Sequence, residues 1–258
     1  MRKKFWTILL TLIVFLSGAM LALSTVYRVE TVTVNVQYVT EEAKTKGEAL
    51  QPHLEEAYEG VSTFFVKQET ADEVLKEYPY FRLISFEKSF PKRIVIDVVE
   101  NAETYAVKKA ENEYYILSSD GVVLDIRDTY VNALTDEENV ILTGLNIAAE
   151  KGQMPLGDEC FVEVLATCQA LSTKLNGIRA NVVSVELMHR TPETVLAVTM
   201  REGVKIYLVN SAERTAKKIE VALAKYFSLS DEEKMCGRIL LIESSEGFYA
   251  DYSKVTDF

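Results

Sequence analysis

A run of nineteen residues without a charge, FWTILLTLIVFLSGAMLAL, lies near the start of the chain and constrains its fold more than any other feature. As a helix it would rise about 1.5 Å per residue, enough to span a hydrocarbon layer of ~30 Å. Arg2, Lys3 and Lys4 precede it, and the excess of basic residues on the cytoplasmic side of membranes predicts a cytoplasmic N-terminus. We expect a cytoplasmic tail over residues 1–4 and one transmembrane helix over residues 5–25.

A cleaved signal peptide is the alternative interpretation of this run. Small residues suited to cleavage stand at Gly18, Ala19, Ala22 and Ser24. The run is longer than the ~7 to 15 apolar residues of a usual signal-peptide core, which favours an uncleaved anchor. Both interpretations export the rest of the chain.

The exported remainder is acidic. With the three basic residues of the tail set aside, 25 Lys and Arg oppose 39 Asp and Glu, a net charge of −14. Binding to a phosphate backbone depends on basic charge, so the composition argues against nucleic acid as a partner. The 258 residues, 48% of them hydrophobic, are enough for one or two packed cores.

The cysteines and histidines do not form a recognisable site. Cys160 and Cys168 are eight residues apart in a helical pattern, too distant to bridge each other, and we expect buried thiols. His53 and His189 are the only histidines, and no pair of ligands has the spacing of a zinc site. We predict neither a metal nor a cofactor.

The first exported segment alternates between strand and helix patterns. VETVTVNVQ predicts a strand, and Thr40 is placed to cap the helix that follows it. Pro52 predicts a break or a kink in that helix near Gln51. Thr70 and Glu73 have the spacing of a capping box and predict the start of a short second helix.

A hairpin follows in FEKSFPKRIVIDVVE, residues 86–100. Ile94, Ile96 and Val98 share one face of its second strand, and Pro91 supplies the turn. The order of strand, helix, helix, strand and strand over about seventy residues predicts a small α+β domain with helices on one face of a three-stranded sheet.

From Asn101 onward short strands dominate. Asp120 and Gly121 form a strong turn signal between two of them. We predict helices over residues 158–175 and 215–227, the latter with Ala216, Ile219, Leu223 and Tyr226 or Phe227 on one stripe. The predicted strands are TYAVKK, YYILSS, VVLDI, VVSVELMH, TVLAVTM, VKIYLV, RILLIE and GFYADYS.

Two S-x-x-K sequences, at Ser85–Lys88 and Ser89–Lys92, match the serine and lysine pair of penicillin-binding enzymes. That chemistry needs a helix start, and both copies fall on or beside the hairpin. The other parts of that signature are absent from the sequence, as are the nucleophile-elbow and phosphate-loop motifs. We therefore assign no catalytic residue and predict that the protein is not an enzyme.

Taken together, these segments resemble the FtsQ/DivIB family of bacterial division proteins. The most specific stretches are STFFV, LKEYPYF, SFEKSFPKRIVIDVVE and ETYAV, followed by YYILSSDGVVLD, GVKIYLV, AERTAKKIEVALAKYF and GRILLIE. The resemblance implies an α+β protein with a transmembrane helix, a POTRA domain (β-α-α-β-β) over residues 26–100 and a mixed β domain with flanking helices over residues 101–258.

The resemblance also implies a function at the division septum. Such proteins are bitopic scaffolds of the cell membrane that bind FtsL-like and FtsB/DivIC-like single-pass proteins outside the membrane, and through them the septal peptidoglycan synthase. Carried over by position, the residues tied to recruitment are Phe86, Glu87 and Lys88. The partner-binding edge strand is Gly247, Phe248, Tyr249, Ala250, Asp251, Tyr252 and Ser253.

Other interpretations of these segments stay open. Residues 86–88 could belong to an ordinary strand in which Lys88 is solvated. The last strand could simply pack one of its faces on the core. A POTRA-bearing chaperone for translocating polypeptides is the second functional hypothesis. An exported cell-wall hydrolase or acyltransferase is the third, and it requires a concave site with convergent polar groups.

Overall fold

The computed structural model describes residues 6, 10–18, 20, 26–132, 137–189, 193–210, 213–245 and 247–254. The chain divides into two compact units, unit 1 over residues 1–101 and unit 2 over residues 102–258. Residues 10–18 are helical. Within the described ranges we find no helix long and apolar enough to cross a membrane. The predicted tail over residues 1–4 lies outside these ranges, and the predicted transmembrane helix lies partly outside them.

From residue 26 onward, unit 1 contains a three-stranded sheet and two helices. The sheet has the order β1-β3-β2, with β3 parallel to β1 and antiparallel to β2. Its elements are β1 (Thr31–Gln37), α1 (Glu41–Tyr58), α2 (Gln68–Lys76), β2 (Phe81–Ser89) and β3 (Arg93–Glu100). This is the predicted order of elements, which the structure confirms.

The buried face of unit 1 follows the predicted alternation. Ile94, Ile96 and Val98 of β3 are completely buried under the helices. The Thr40 side chain accepts the Ala43 N–H and caps α1, as predicted. The buried Glu100 carboxylate accepts the Thr40 N–H at 2.9 Å, so the end of β3 is tied to the start of α1.

A break at Pro52 and a capping box at Thr70 were predicted for these helices, and neither is present. Helix α1 continues through Pro52 without a break, because Pro52 lies on the exposed side, where water can reach the carbonyl that loses its bond, while Leu50 and Leu54 are buried on the other side. Helix α2 begins at Gln68 with Lys67 as its N-cap, so Thr70 lies inside it and forms no capping box.

Unit 2 is built on a nine-stranded sheet of order β12-β11-β10-β9-β8-β7-β4-β5-β6. Its strands are β4 (Glu103–Ala110), β5 (Glu113–Ser118), β6 (Val123–Arg127), β7 (Val140–Thr143), β8 (Val182–His189), β9 (Val195–Met200), β10 (Lys205–Val209), β11 (Arg238–Ser244) and β12 (Gly247–Ser253). Its helices are α3 (Phe161–Leu175), α4 (Thr215–Phe227) and α5 (Asp231–Lys234). Strand β7, which the sequence analysis did not predict, joins β4 to β8 by parallel pairing.

Helices α3 and α4 pack together on the sheet, and α4 also packs against β11 and β12. The predicted stripe of α4 is partly correct. Ile219, Leu223 and Tyr226 are buried, whereas Ala216 and Phe227 are exposed. Lys218, which lies outside the predicted stripe, is buried as well.

Candidate protein-interaction site

Strand β12 is the edge of the nine-stranded sheet. It pairs with β11 in an antiparallel register from Arg238↔Ser253 to Ser244↔Gly247. No described strand pairs with its other side. An antiparallel edge strand directs the N–H and C=O groups of alternate residues away from its neighbour, so β12 offers a row of backbone donors and acceptors to a further strand.

One face of β12 packs on the core and the other faces solvent. Phe248, Ala250 and Tyr252 contact the core of unit 2. The Tyr252 hydroxyl donates to the Cys236 carbonyl at 2.9 Å. The Tyr249 side chain is 50% exposed, and it shares the solvent face with Asp251. The packed face fixes the strand, while the solvent face and the free edge stay accessible.

The accessible surface continues from β12 onto its neighbours. Across the register, Tyr249 lies opposite Ile242, and Leu240 lies between Asp251 and Tyr207. These residues give the solvent face an apolar and aromatic character beside the free edge. The sequence analysis missed this extension, although the alternation in VKIYLV and RILLIE places those side chains on one face.

A buried cation holds the Phe248 end of β12. The Lys218 Nζ lies 5.3 Å from the centre of the Phe248 ring and donates to the carbonyls of Val209 at 2.9 Å and Asn210 at 2.6 Å. Arg214, in the left-handed conformation with φ 52°, places its guanidinium 5.8 Å from the same ring. The start of β12 is therefore fixed to α4 and to the end of β10.

The second predicted site lies on β2, which is an edge of the three-stranded sheet. The Phe86 ring packs on Tyr58 with ring centres 5.6 Å apart, and Phe86 is half-buried. Glu87 and Lys88 are exposed. The structure thus separates the three residues: Phe86 belongs to the packing of unit 1, and only the other two offer side chains to a partner.

A fixed negative charge lies on the same sheet as β2. The Ser85 hydroxyl donates to the Asp97 carboxylate, and the Asn35 amide donates to it at 2.8 Å. These hydrogen bonds, that of Ser85 first, lower the pKa of Asp97 below its ordinary value of 3.8. Asp97 is therefore ionised at neutral pH.

In the described residues, the two S-x-x-K sequences and the cysteines do not form the nucleophilic sites that their residue types could supply. Both S-x-x-K sequences lie on β2 or its turn, where Ser85 binds Asp97 and Lys92 forms an ion pair with Glu30.

Burial raises the pKa of the Cys168 thiol to about 12, so it is protonated and unreactive at neutral pH. The three cysteines form no disulfide, and Cys160 and Cys236 are only half-buried. No group of three or more metal-ligating side chains occurs in the described part of the chain.

The comparison with family models gives one match. The model described as "Cell division protein FtsQ/DivIB, C-terminal" matches residues 106–242, slightly more than half of the 258 residues. The matched range runs from β4 into β11. Unit 1 and β12 lie outside it. A comparison with curated proteins found no match.

Proposed function

Because the chain belongs to the FtsQ/DivIB family of cell division proteins, we propose that it is a non-enzymatic membrane scaffold of the bacterial division septum. In this proposal unit 2 binds FtsL-like and FtsB/DivIC-like single-pass proteins and thereby recruits septal peptidoglycan synthesis. The observation that carries the proposal is the free edge of β12 beside an exposed aromatic face.

Binding at β12 would occur by strand addition. A partner segment that pairs with the free side of Gly247–Ser253 extends the sheet through main-chain hydrogen bonds, and side chains on the solvent face supply specificity. Tyr249 is the best-placed contact because it is large, half-exposed and central in the strand. The packed side chains of Phe248 and Tyr252 spare a partner the cost of ordering the strand.

Membrane anchoring is supported by the sequence near the N-terminus. Nineteen uncharged residues follow Arg2, Lys3 and Lys4, which fits a single-pass helix with its N-terminus in the cytoplasm. In the proposed arrangement unit 2 and the part of unit 1 from residue 26 onward lie outside the membrane at the division septum.

Residues 26–100 of unit 1 are proposed to be the POTRA domain of the family. Their β-α-α-β-β order of elements supports this assignment. Recruitment to the division site is proposed to involve the exposed side chains of Glu87 and Lys88, with Phe86 positioning them through its contact with Tyr58.

Two proline variants of β12 test the proposal as a matched pair. Adjacent residues of a strand direct their N–H groups to opposite sides, so Tyr249→Pro and Ala250→Pro each remove a different one. One variant removes a bond to β11 and lowers the thermal stability of unit 2. The other leaves that bond intact but blocks the free side, and we expect it to lose capture of the coiled-coil partners from solubilised membranes.

The control is Asp251→Asn, which keeps every backbone N–H group. Stability is followed by thermal unfolding in parallel with capture. Full capture by the proline variant that retains native stability would show that partners do not add a strand to β12.

A further inference from the structure

An exposed aromatic cluster lies at one end of unit 1. The Tyr27 ring lies 4.7 Å from the Phe64 ring and 6.3 Å from the Phe90 ring, and the last two are 5.4 Å apart, all measured between ring centres. Phe64, Phe65 and Phe90 are nevertheless 53%, 73% and 55% exposed. Val26 is also exposed, and the five residues Val26, Tyr27, Phe64, Phe65 and Phe90 are called the aromatic end.

The exposure of the aromatic end is built into the fold. Thr63 is completely buried, and its hydroxyl lies 2.8 Å from the Tyr27 carbonyl oxygen and 2.7 Å from that of Pro91. Its backbone N–H also donates to the Tyr27 carbonyl, and the Val29 N–H donates to the Val61 carbonyl. These bonds fix together the three chain segments that carry the rings.

The aromatic end follows directly after the uncharged run. Only three residue steps separate Leu23, the last residue of the run, from Val26, a distance of at most about 11 Å along the chain. A membrane that holds the run must therefore come close to the Tyr27, Phe64 and Phe90 rings. No comparable constraint brings a soluble partner to this place.

The charges beside the rings also suit a lipid surface. Arg28, Lys67 and Lys92 directly follow Tyr27, Val66 and Pro91 in the chain, and Arg28 donates to the Gly60 carbonyl at 3.0 Å. Lys92 is paired with the Glu30 carboxylate, so Arg28, next to Tyr27 in the chain, is the cation that best suits the lipid phosphates. A cationic side chain beside aromatic rings matches the phosphate and acyl layers of the membrane interface.

We propose that the aromatic end inserts its Phe64, Phe65 and Phe90 side chains into the interfacial layer of the lipid bilayer. This inference rests on the membrane anchoring proposed above. It adds that unit 1 is docked on the bilayer rather than tethered at a distance. Strands β1 and β3 begin beside the aromatic end, since the Thr31 N–H donates to the Lys92 carbonyl. They then run away from the membrane.

A tryptophan reporter tests this arrangement in the full chain. Trp6 is the only tryptophan, so a Trp6→Phe background allows one new tryptophan at Phe65. The matched control is Val39→Trp, because Val39 is 74% exposed and lies beyond the far end of β1, about 20 Å further away. Both proteins are reconstituted into vesicles of phosphatidylcholine and phosphatidylglycerol with brominated acyl chains, and flotation of the vesicles reports anchoring.

We expect the Phe65→Trp reporter to lose most of its fluorescence to the brominated lipid and the Val39→Trp reporter to keep it. Floating vesicles with an unquenched Phe65→Trp reporter would overturn the docking while leaving the anchor intact. Equal quenching of both reporters would also overturn it, because unit 1 would then lie flat. If the emission of the Phe65→Trp reporter is shifted to the blue and the shift disappears when the protein is diluted with lipid, a second copy of the chain covers the aromatic end, and the docking is overturned. Failure to float would refute the anchor and the docking together.

Discussion

The side chain of Lys218 is 2% exposed, although a lysine is almost never fully buried without partners. Its charge is matched by the carbonyls of Val209 and Asn210 and by the face of the Phe248 ring. One residue thereby joins the end of β10, the first turns of α4 and the start of the edge strand. Its role is to position β12, not to contact a partner.

Replacement of this residue tests that role. We expect Lys218→Met to lower the free energy of unfolding by about 1.5–3 kcal/mol, because two carbonyls lose a charged donor. Lys217→Met is the control, since the neighbouring Lys217 side chain is 60% exposed and surface changes stay within about 0.5 kcal/mol. Urea unfolding of both variants measures the difference. Equal losses would show that Lys218 has no special role in the packing.

At the scale of elements, the hydrophobic period of the sequence predicts the buried residues where a strand or helix has a single buried face. Strand β3 alternates as predicted because the helices cover only one side of it. Strand β7 was missed because four residues, buried by β4 and β8 on either side, carry too little periodicity to distinguish a strand from a loop. Long-range parallel pairing creates this strand.

The candidate site was predictable in part for the same reason. The alternation of GFYADYS gives the two faces of β12, but Lys218 lies in a helical stripe whose sequence marks it as solvated. Its carbonyl partners lie on another element. Likewise, the contact of Phe86 with Tyr58 joins residues far apart in the chain. Tertiary contacts of this kind leave no local pattern.

The edge strand β2 carries the prediction for recruitment. Glu87 and Lys88 are exposed, so Lys88→Glu changes the charge of the edge without changing the packing. We expect this variant to lose septal enrichment of a fluorescent fusion, measured against the membrane signal. Lys76→Glu at the end of α2, also exposed, is the control for charge alone. Normal septal enrichment of Lys88→Glu would assign recruitment to another surface.

At the scale of the molecule, the distribution of charge supports the proposed orientation in the membrane. Basic residues near the N-terminus precede the uncharged run, and an acidic chain follows it. We expect replacement of Arg2, Lys3 and Lys4 by Glu to reduce the export of a C-terminal alkaline phosphatase fusion, because the bias of Lys and Arg orients a membrane helix. The alkaline phosphatase activity, normalised to the amount of fusion protein, measures the export.

A matched reversal of charge in unit 2 serves as the control. Lys108→Glu, Lys151→Glu and Lys174→Glu reverse the charge of three exposed basic residues far along the chain and should leave export unchanged. Immunoblotting of the wild-type fusion distinguishes anchor from signal peptide. A mature product shortened by the uncharged run would contradict the anchor.

The pairing of the last three strands determines how unit 2 would bear a mechanical load. Strand β11 shares seven register positions with β12 but only Lys205↔Arg238, Ile206↔Ile239 and Tyr207↔Leu240 with β10. Tension applied through β12 would therefore displace the terminal hairpin as one piece. Helix α4 packs against both strands of this hairpin, β11 and β12. Side-chain packing on α4 would therefore resist the pull more than the main-chain hydrogen bonds to β10.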